Sequence, residues 1–277
     1  MAITRTAKGT AGDKTTSLTL SLNSVQLEPG ALLVVGLTYD DGNGAPTVKW
    51  GQRLLKPKRT VAGNGIVTRI VSMVYGGDEN RTRNIVATWD TAAPTAKVMF
   101  ASMIKEADSL DVTAAQAEAL TTDPDSGTAI NPTKDSSICI AAFGHEGPAV
   151  DTVGTLQNGY SSGQRIGVAG APPVSNVTIH EAYKILTTSE STSAAKTGTT
   201  ARDWCTVLVV FDQSTTVGKG ISPTDIAAVE EIFETANLDV ANMVLKWNYD
   251  EERFEAYEVD LTAETAICYF DETWITV

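Results

Sequence analysis

Histidine and cysteine are scarce in this chain, which has two of the first and three of the second in 277 residues. His145 and His180 stand far apart in the sequence, and no CxxC pair occurs, so the ligand spacing of a transition-metal site is missing. Cys139, Cys205 and Cys268 are odd in number and widely separated, which excludes a disulfide framework. Cys139 and Cys205 lie inside apolar runs and read as small buried hydrophobes. Neither a P-loop nor a G-x-G-x-x-G fingerprint is present, and no basic stripe interleaves with aromatics. No cofactor and no nucleic-acid partner are therefore expected. The opening MAITRTAKGT lacks the apolar h-region of a signal peptide, and no apolar stretch approaches the roughly 18 residues of a membrane helix. The expectation is a protein made in a cytoplasm, with no membrane partner.

What the chain does have is acid, unevenly placed. Residues 222–277 hold 14 acids against two bases, Lys246 and Arg253, a local net charge of −12. Residues 1–221 hold 20 acids and 19 bases and are close to neutral. Such asymmetry marks two modules with different surroundings. The acidic end repels nucleic acid and anionic membrane and suits either a basic partner surface or plain solvation.

Short apolar or alternating runs separated by Gly, Pro, Asp, Ser and Thr clusters dominate residues 1–213, the pattern of an all-β domain. Leu18, Leu20 and Leu22 alternate with Thr19 and Ser21, a half-buried strand. After the Pro29-Gly30 turn, Ala31–Tyr39 is too apolar for a surface strand. Further strands are read at Thr47–Trp50, Ile66–Tyr75, Thr82–Trp89, Ala96–Lys105, Ser136–Phe143, Asn176–Leu186 and Asp203–Phe211, each rich in Val, Ile, Thr or aromatics. Roughly nine strands with irregular loops imply a sandwich. A short helix is expected at Thr113–Leu120 and a low-complexity polar loop at Thr187–Ala201. No repeat of 20–50 residues is visible.

A linker at 214–221 leads to a different module at 222–277. Ser222-Pro223-Thr224-Asp225 has the residues of a helix start: an N-cap, a proline at the first helical position and an acid in the first turn. Ile226, Val229, Ile232, Phe233 and Ala236 recur at helical spacing. Met243–Tyr249 with Arg253–Val259, and Ala266–Phe270 with Trp274–Val277, read as two hairpins. The result is a minimal acidic α+β unit with a heavy aromatic load, too small for comfortable stability alone. Ile226, Val229, Ile232, Phe233, Trp247 and Trp274 are therefore the expected contact residues toward the main domain or another subunit.

Candidate chemistry is thin. Gly159-Tyr160-Ser161-Ser162-Gly163 matches G-x-S-x-G, but a nucleophile elbow needs a helix after the serine, and Gly167, Gly170, Pro172 and Pro173 follow instead. His180 is the sole histidine placed to complete a triad and sits on an expected strand. Asp40-Asp41-Gly42-Asn43-Gly44 and Asp123-Pro124-Asp125-Ser126-Gly127 fail the EF-hand pattern and read as turns. Lys49, Arg53, Lys56, Lys58 and Arg59 form the one basic cluster, suited to an acidic neighbour or to solvent. No catalytic residue is expected, and the chain reads as a non-enzyme. For a glycan partner, Trp50, Tyr75, Trp89 and Tyr160 are the candidate rings.

Pro29-Gly30-Ala31-Leu32-Leu33-Val34-Val35, then Pro46-Thr47-Val48-Lys49-Trp50-Gly51-Gln52-Arg53-Leu54, resembles a β-sandwich module that recurs in structural proteins of tailed bacteriophages and prophages. Asn84–Trp89 and the closing Trp204–Phe211 strand resemble it too. The likeness spans about residues 15–213, lacks one of the two glycines usual after the tryptophan and leaves the acidic module unmatched. It implies a mainly β, jelly-roll-like antiparallel β-sandwich with the small acidic α+β module appended. The implied role is in a virion, as a capsid decoration or spike/fibre component. The implied partners are other virion proteins such as the major capsid protein, and further copies of the chain, as a homotrimer by analogy. The alternative reading is a carbohydrate-binding sandwich that serves as an adhesin.

Overall fold

The computed structural model describes residues 2–63, 65–76, 80–90, 94–148, 150–168, 176–214, 243–248, 253–260, 265–268 and 273–276. The chain divides into two units, Met1–Thr215 and Thr216–Val277. Every helix or strand among the described residues is a β-strand.

The first unit opens with β1 (Thr4–Asp13), β2 (Thr19–Leu27), β3 (Leu32–Asp40), β4 (Thr47–Trp50), β5 (Arg53–Leu54), β6 (Lys56–Gly63), β7 (Ile66–Val74), β8 (Arg81–Thr88) and β9 (Lys97–Lys105). They make two antiparallel sheets, ordered β1-β9-β3-β7-β6 and β2-β8-β4-β5. The first strand pairs with the last and the second with the last but one, while the third and fourth follow inward on their own sheets. With β6 as an extra edge strand, this is jelly-roll topology. The jelly-roll-like sandwich expected from the sequence is there, but it closes at Lys105.

A second set follows: β10 (Ala107–Thr121), β11 (Ser137–Glu146), β12 (Thr155–Leu156), β13 (Ser161–Gly167), β14 (Val177–Leu186), β15 (Lys196–Thr197) and β16 (Arg202–Gln213). Five of these form a sheet ordered β10-β16-β11-β14-β13, which repeats the β1-β9-β3-β7-β6 order strand for strand. The partner layer survives in reduced form. β12 pairs with β15, and the segment around Asp125–Ile130 bridges to Ala195 and Thr192. That layer stands where β2-β8-β4 stands in the first roll.

Register makes the correspondence residue by residue. Leu32 pairs with Ile104 and Val74, and Ile138 pairs with Phe211 and Ile185. Gly12 pairs with Val98, and Ala117 with Cys205. The first unit is thus two jelly rolls at a spacing of roughly 105 residues, outside the 20–50-residue range of common solenoid repeats.

The two five-stranded sheets pack face to face. β3 meets β14 and β7 meets β11, while β6 meets β10 and β16 just as β13 meets β1 and β9. Each contact has its mirror, the signature of an isologous interface. The closest approaches repeat as well. A Cβ on Gly12 would lie 2.8 Å from Val168 Cγ1, and one on Gly63, the equivalent of Val168, would lie 2.9 Å from Ala117 Cβ. Between the sheets, Leu32, Val34, Ile70, Phe100, Ile138, Ile140, Ile179, Val207 and Phe211 form a continuous buried apolar layer. β3, β9, β11 and β16 are covered on both faces and are apolar almost throughout.

A polar clamp crosses this layer. The Glu181 carboxylate on β14, fully buried, accepts from the Arg5 guanidinium on β1, with Arg5 Nε at 2.7 Å. It also accepts from Ser102 Oγ at 2.6 Å and from the Gln164 backbone N–H at 3.2 Å. Arg5 lies over the Tyr183 ring at 4.7 Å.

The helix expected at Thr113–Leu120 is instead part of the 15-residue strand β10. Its Ala-rich sequence suits a helix, but β16 offers a full antiparallel partner along its length. Ala115 and Ala117 pack toward the middle layer, and Val112 and Ala114 pack toward the outer core. Tertiary pairing overrides intrinsic propensity here.

In the second unit, β17 (Met243–Asn248), β18 (Arg253–Asp260), β19 (Thr265–Cys268) and β20 (Thr273–Thr276) form an antiparallel meander. The two expected hairpins are its outer pairs. Trp247 stands opposite Phe254, and Ile267 opposite Trp274. The helix expected after Ser222, with Ile226, Val229, Ile232 and Phe233, lies outside the described residues.

Candidate functional site

The second jelly roll has a small cleft between its five-stranded sheet and its reduced outer layer. His145 at the end of β11, Thr178 and His180 on β14, Arg165 on β13 and Lys196 on β15 line it, together with Asp151, Thr200 and Arg202. Antiparallel register brings them together: His145 pairs with Thr178, and Arg165 with His180. The two histidines that seemed unrelated in sequence thus line one cleft.

The cleft is cationic. Lys196 is 1% exposed and its ammonium lies 4.6 Å from the centroid of the Phe143 ring. Burial, aided by the charge of Arg165, lowers its pKa to about 7. His180 is 3% exposed, and burial, with Lys196 and Arg165 adding, lowers its pKa to about 3. His145 is likewise held well below the ordinary imidazole range, first by burial and then by Lys196, His180 and Arg165. Among the described residues Asp151 is the one acid lining the cleft, and its carboxylate accepts from Arg202 Nε at 2.7 Å, while its backbone carbonyl accepts from Arg165 at 3.0 Å. His145 Nε2 and His180 Nδ1 are buried with no hydrogen-bond partner among the described residues.

Ser162 Oγ is 2.9 Å from His180 Nε2. The neighbouring Ser161, which the G-x-S-x-G match singled out, is an exposed residue opening β13 and pairs with Tyr183. A serine–histidine contact is only part of a nucleophilic site. Among the described residues the far nitrogen of His180 meets no carboxylate to orient it, and a ring with a pKa of about 3 is a poor general base at neutral pH. The strand geometry around Ser161 is also not the strand–turn–helix of an elbow.

The other sequence candidates are structural. Asp41 Oδ1 caps the Gly42 N–H at 2.7 Å, and Asp40 Oδ2 accepts from the Ala96 N–H at 2.8 Å. Asp125 Oδ1 accepts from the Gly127 N–H at 2.6 Å, while Asp123 Oδ1 accepts from Gly198. The Asp41 and Asp125 bonds are the local side-chain-to-backbone bonds of turns, while Asp40 and Asp123 tie their loops to distant segments. Among the described residues no group of His, Cys, Asp and Glu is arranged to hold a metal ion.

Trp50, Tyr75, Trp89 and Tyr160 are buried and offer no open ring face to a sugar. Trp50 stacks edge-on against Tyr75 at 5.1 Å and donates its Nε1–H to the Val25 carbonyl at 3.0 Å, so these rings plug the first sandwich. Cys139 and Cys205 are buried free thiols whose pKa values burial raises to about 11 and about 12. The basic cluster spreads over β4, β5 and β6, with Arg53 over the Tyr75 ring at 5.0 Å. Of the expected contact residues, Trp247 lies on β17 and Trp274 on β20, and the other four lie outside the described residues.

Sequence reading missed Arg165, Lys196, Asp151, Ser162 and Arg202 as neighbours. His145 lies just beyond the strand read at Ser136–Phe143 and His180 within the one read at Asn176–Leu186, so only the register relates them. Lys196, in a low-complexity polar segment, carried no signal. No protein-family model, no curated protein and no solved structure matches this chain.

Proposed function

We propose that this chain is a non-enzymatic structural protein of a virion, a capsid-decoration or spike component that works through protein–protein contacts. The observation that carries this reading is the doubled jelly roll. Two sandwiches share one apolar middle layer and a buried Arg5–Glu181 clamp, which makes a rigid block suited to being attached or projected. Fold does not dictate function. The reading also draws on the resemblance to phage structural modules and on a serine–histidine contact that lacks the groups a hydrolase needs. The acidic unit, with its four-stranded meander, supplies the contact surface toward other copies or toward a basic face of the shell.

The test is the native mass of the full chain and of a version ending at Ile221, followed by sedimentation of each with assembled shells. An oligomeric full chain, a monomeric truncation and co-sedimentation that needs residues 222–277 support the proposal. A full chain that stays monomeric and leaves shells unbound, yet is retained by an immobilised glycan panel, overturns it in favour of the adhesin reading.

A further inference from the structure

We propose that the cleft between β11, β14 and β15 is a binding site for a small monovalent anion of chloride size, held by the Lys196 ammonium, the Arg165 guanidinium and the ring N–H groups of His145 and His180. Donor chemistry comes first. If Ser162 donates to His180 Nε2, the proton of that ring sits on Nδ1, a buried donor with no acceptor among the described residues. His145 Nε2 is a second buried ring nitrogen with no partner among the described residues, and in the Nε2–H tautomer it too is a donor. A buried donor left unpaired carries its full desolvation cost. Lys196 adds a buried ammonium lying over the Phe143 ring, and Arg165 adds a guanidinium that donates to the Asp151 backbone carbonyl.

Charge points the same way. Lys196, Arg165 and Arg202 surround the cleft, and Asp151 is committed to Arg202 through Nε at 2.7 Å. An anion satisfies the free donors and offsets the mutual repulsion that, with burial, depresses Lys196, His145 and His180. Size selects among anions. The free space in the cleft admits about one water-sized body, which suits a halide better than a tetrahedral oxyanion.

The probe is halide itself, with the full-length wild-type chain. Crystals soaked in bromide are expected to show an anomalous peak between His145, His180 and Lys196. In solution, a chloride titration at pH 6 at constant ionic strength, balanced with a bulky organic anion, is expected to raise the melting temperature. Lys196→Met, checked for folding by circular dichroism, is expected to weaken the apparent chloride affinity at least tenfold. His180→Phe is the second variant and should do the same while leaving the ammonium in place. Absence of bromide from the cleft overturns the proposal. So does a chloride-dependent rise that both variants retain in full. Phosphate that binds where bromide does not would overturn the size assignment and with it the proposal.

Discussion

The two jelly rolls share one strand order but fill their sandwiches differently. In the first, β2-β8-β4-β5 is a full sheet, and its interior is apolar and aromatic: Leu33, Val35, Trp50, Tyr75, Ile85, Trp89 and Met99. In the second, the facing layer has shrunk to the β12–β15 ribbon and two bridges, over a smaller core of Phe143, Tyr160, Leu208 and Val210. Register equates His145 with Tyr39 and His180 with Arg69, since Tyr39 pairs with Val67 where His145 pairs with Thr178, and Leu37 with Arg69 where Phe143 pairs with His180. The first roll closes this end with a Tyr39–Trp89 edge contact at 5.4 Å and an Arg69 bond to the Pro46 carbonyl at 3.1 Å. The second leaves a cationic cleft there. One copy keeps the sealed core, and the other, with its cover reduced, has room for a polar site.

The largest expected effect comes from the joint between the rolls. Glu181→Ala leaves Arg5 mostly buried without its carboxylate and strips Ser102 and the Gln164 N–H of their acceptor. Breaking a buried pair from one side costs about 3–5 kcal/mol. Urea unfolding should register that loss in the midpoint. A cost near that of an exposed ion pair, under about 1 kcal/mol, would mean the rolls do not depend on the clamp.

The sequence reading found every strand that is interior to the two five-stranded sheets and none of their edges. β3, β7, β9, β11, β14 and β16 are apolar runs because both neighbours and both faces are protein. β1, β6, β10 and β13 are the edge strands, and their Gly, Thr, Lys and Ala content reads as loop, basic cluster or helix. An edge strand has one hydrogen-bonded neighbour and needs no apolar run to be stable, so its pairing is specified by the adjacent strand rather than by itself. The candidate site was hidden for the same reason. His145 and His180 gain meaning only from the β11–β14 register, and Lys196 only from its pairing with Leu156 in the β12–β15 ribbon.

A smaller effect tests the equivalence of the two rolls directly. Gly12 and Gly63 each sit where the opposing roll approaches within 3 Å of a Cβ position, against Val168 and Ala117 respectively. Gly12→Val and Gly63→Val should each overpack the middle layer and cost about 1–3 kcal/mol. Because mirrored contacts share one geometry, thermal unfolding should show the two losses to be similar. The control is Gly63→Val combined with Ala117→Gly, which makes room and should recover part of the loss. If one valine is tolerated and the other is not, the back-to-back symmetry fails at its edge.

The smallest effect separates the cleft from its sealed counterpart and turns on pH. Burial lowers the pKa of Lys196 from 10.5 to about 7, so between those values the unfolded chain holds a proton that the folded chain has released. Stability contributed at this site therefore rises as pH climbs from about 7 to 10.5. Below about 7, folding must bury the ammonium beside Arg165, His145 and His180, with Asp151 already committed to Arg202. Lys196→Met removes that burden. In chloride-free buffer the variant should melt about 2–4 °C above wild type at pH 6, the shift that about 1 kcal/mol makes in a chain of this size. The advantage should shrink steadily above about pH 7 and level off only above about 10.5, where the unfolded chain loses the Lys196 proton as well. Chloride should narrow the gap at pH 6 by stabilising the wild type alone. A variant that is less stable than wild type at pH 6 without chloride would mean that the methylene packing and the Phe143 ring contact outweigh the buried charge, so the second roll would tolerate its ammonium without any anion.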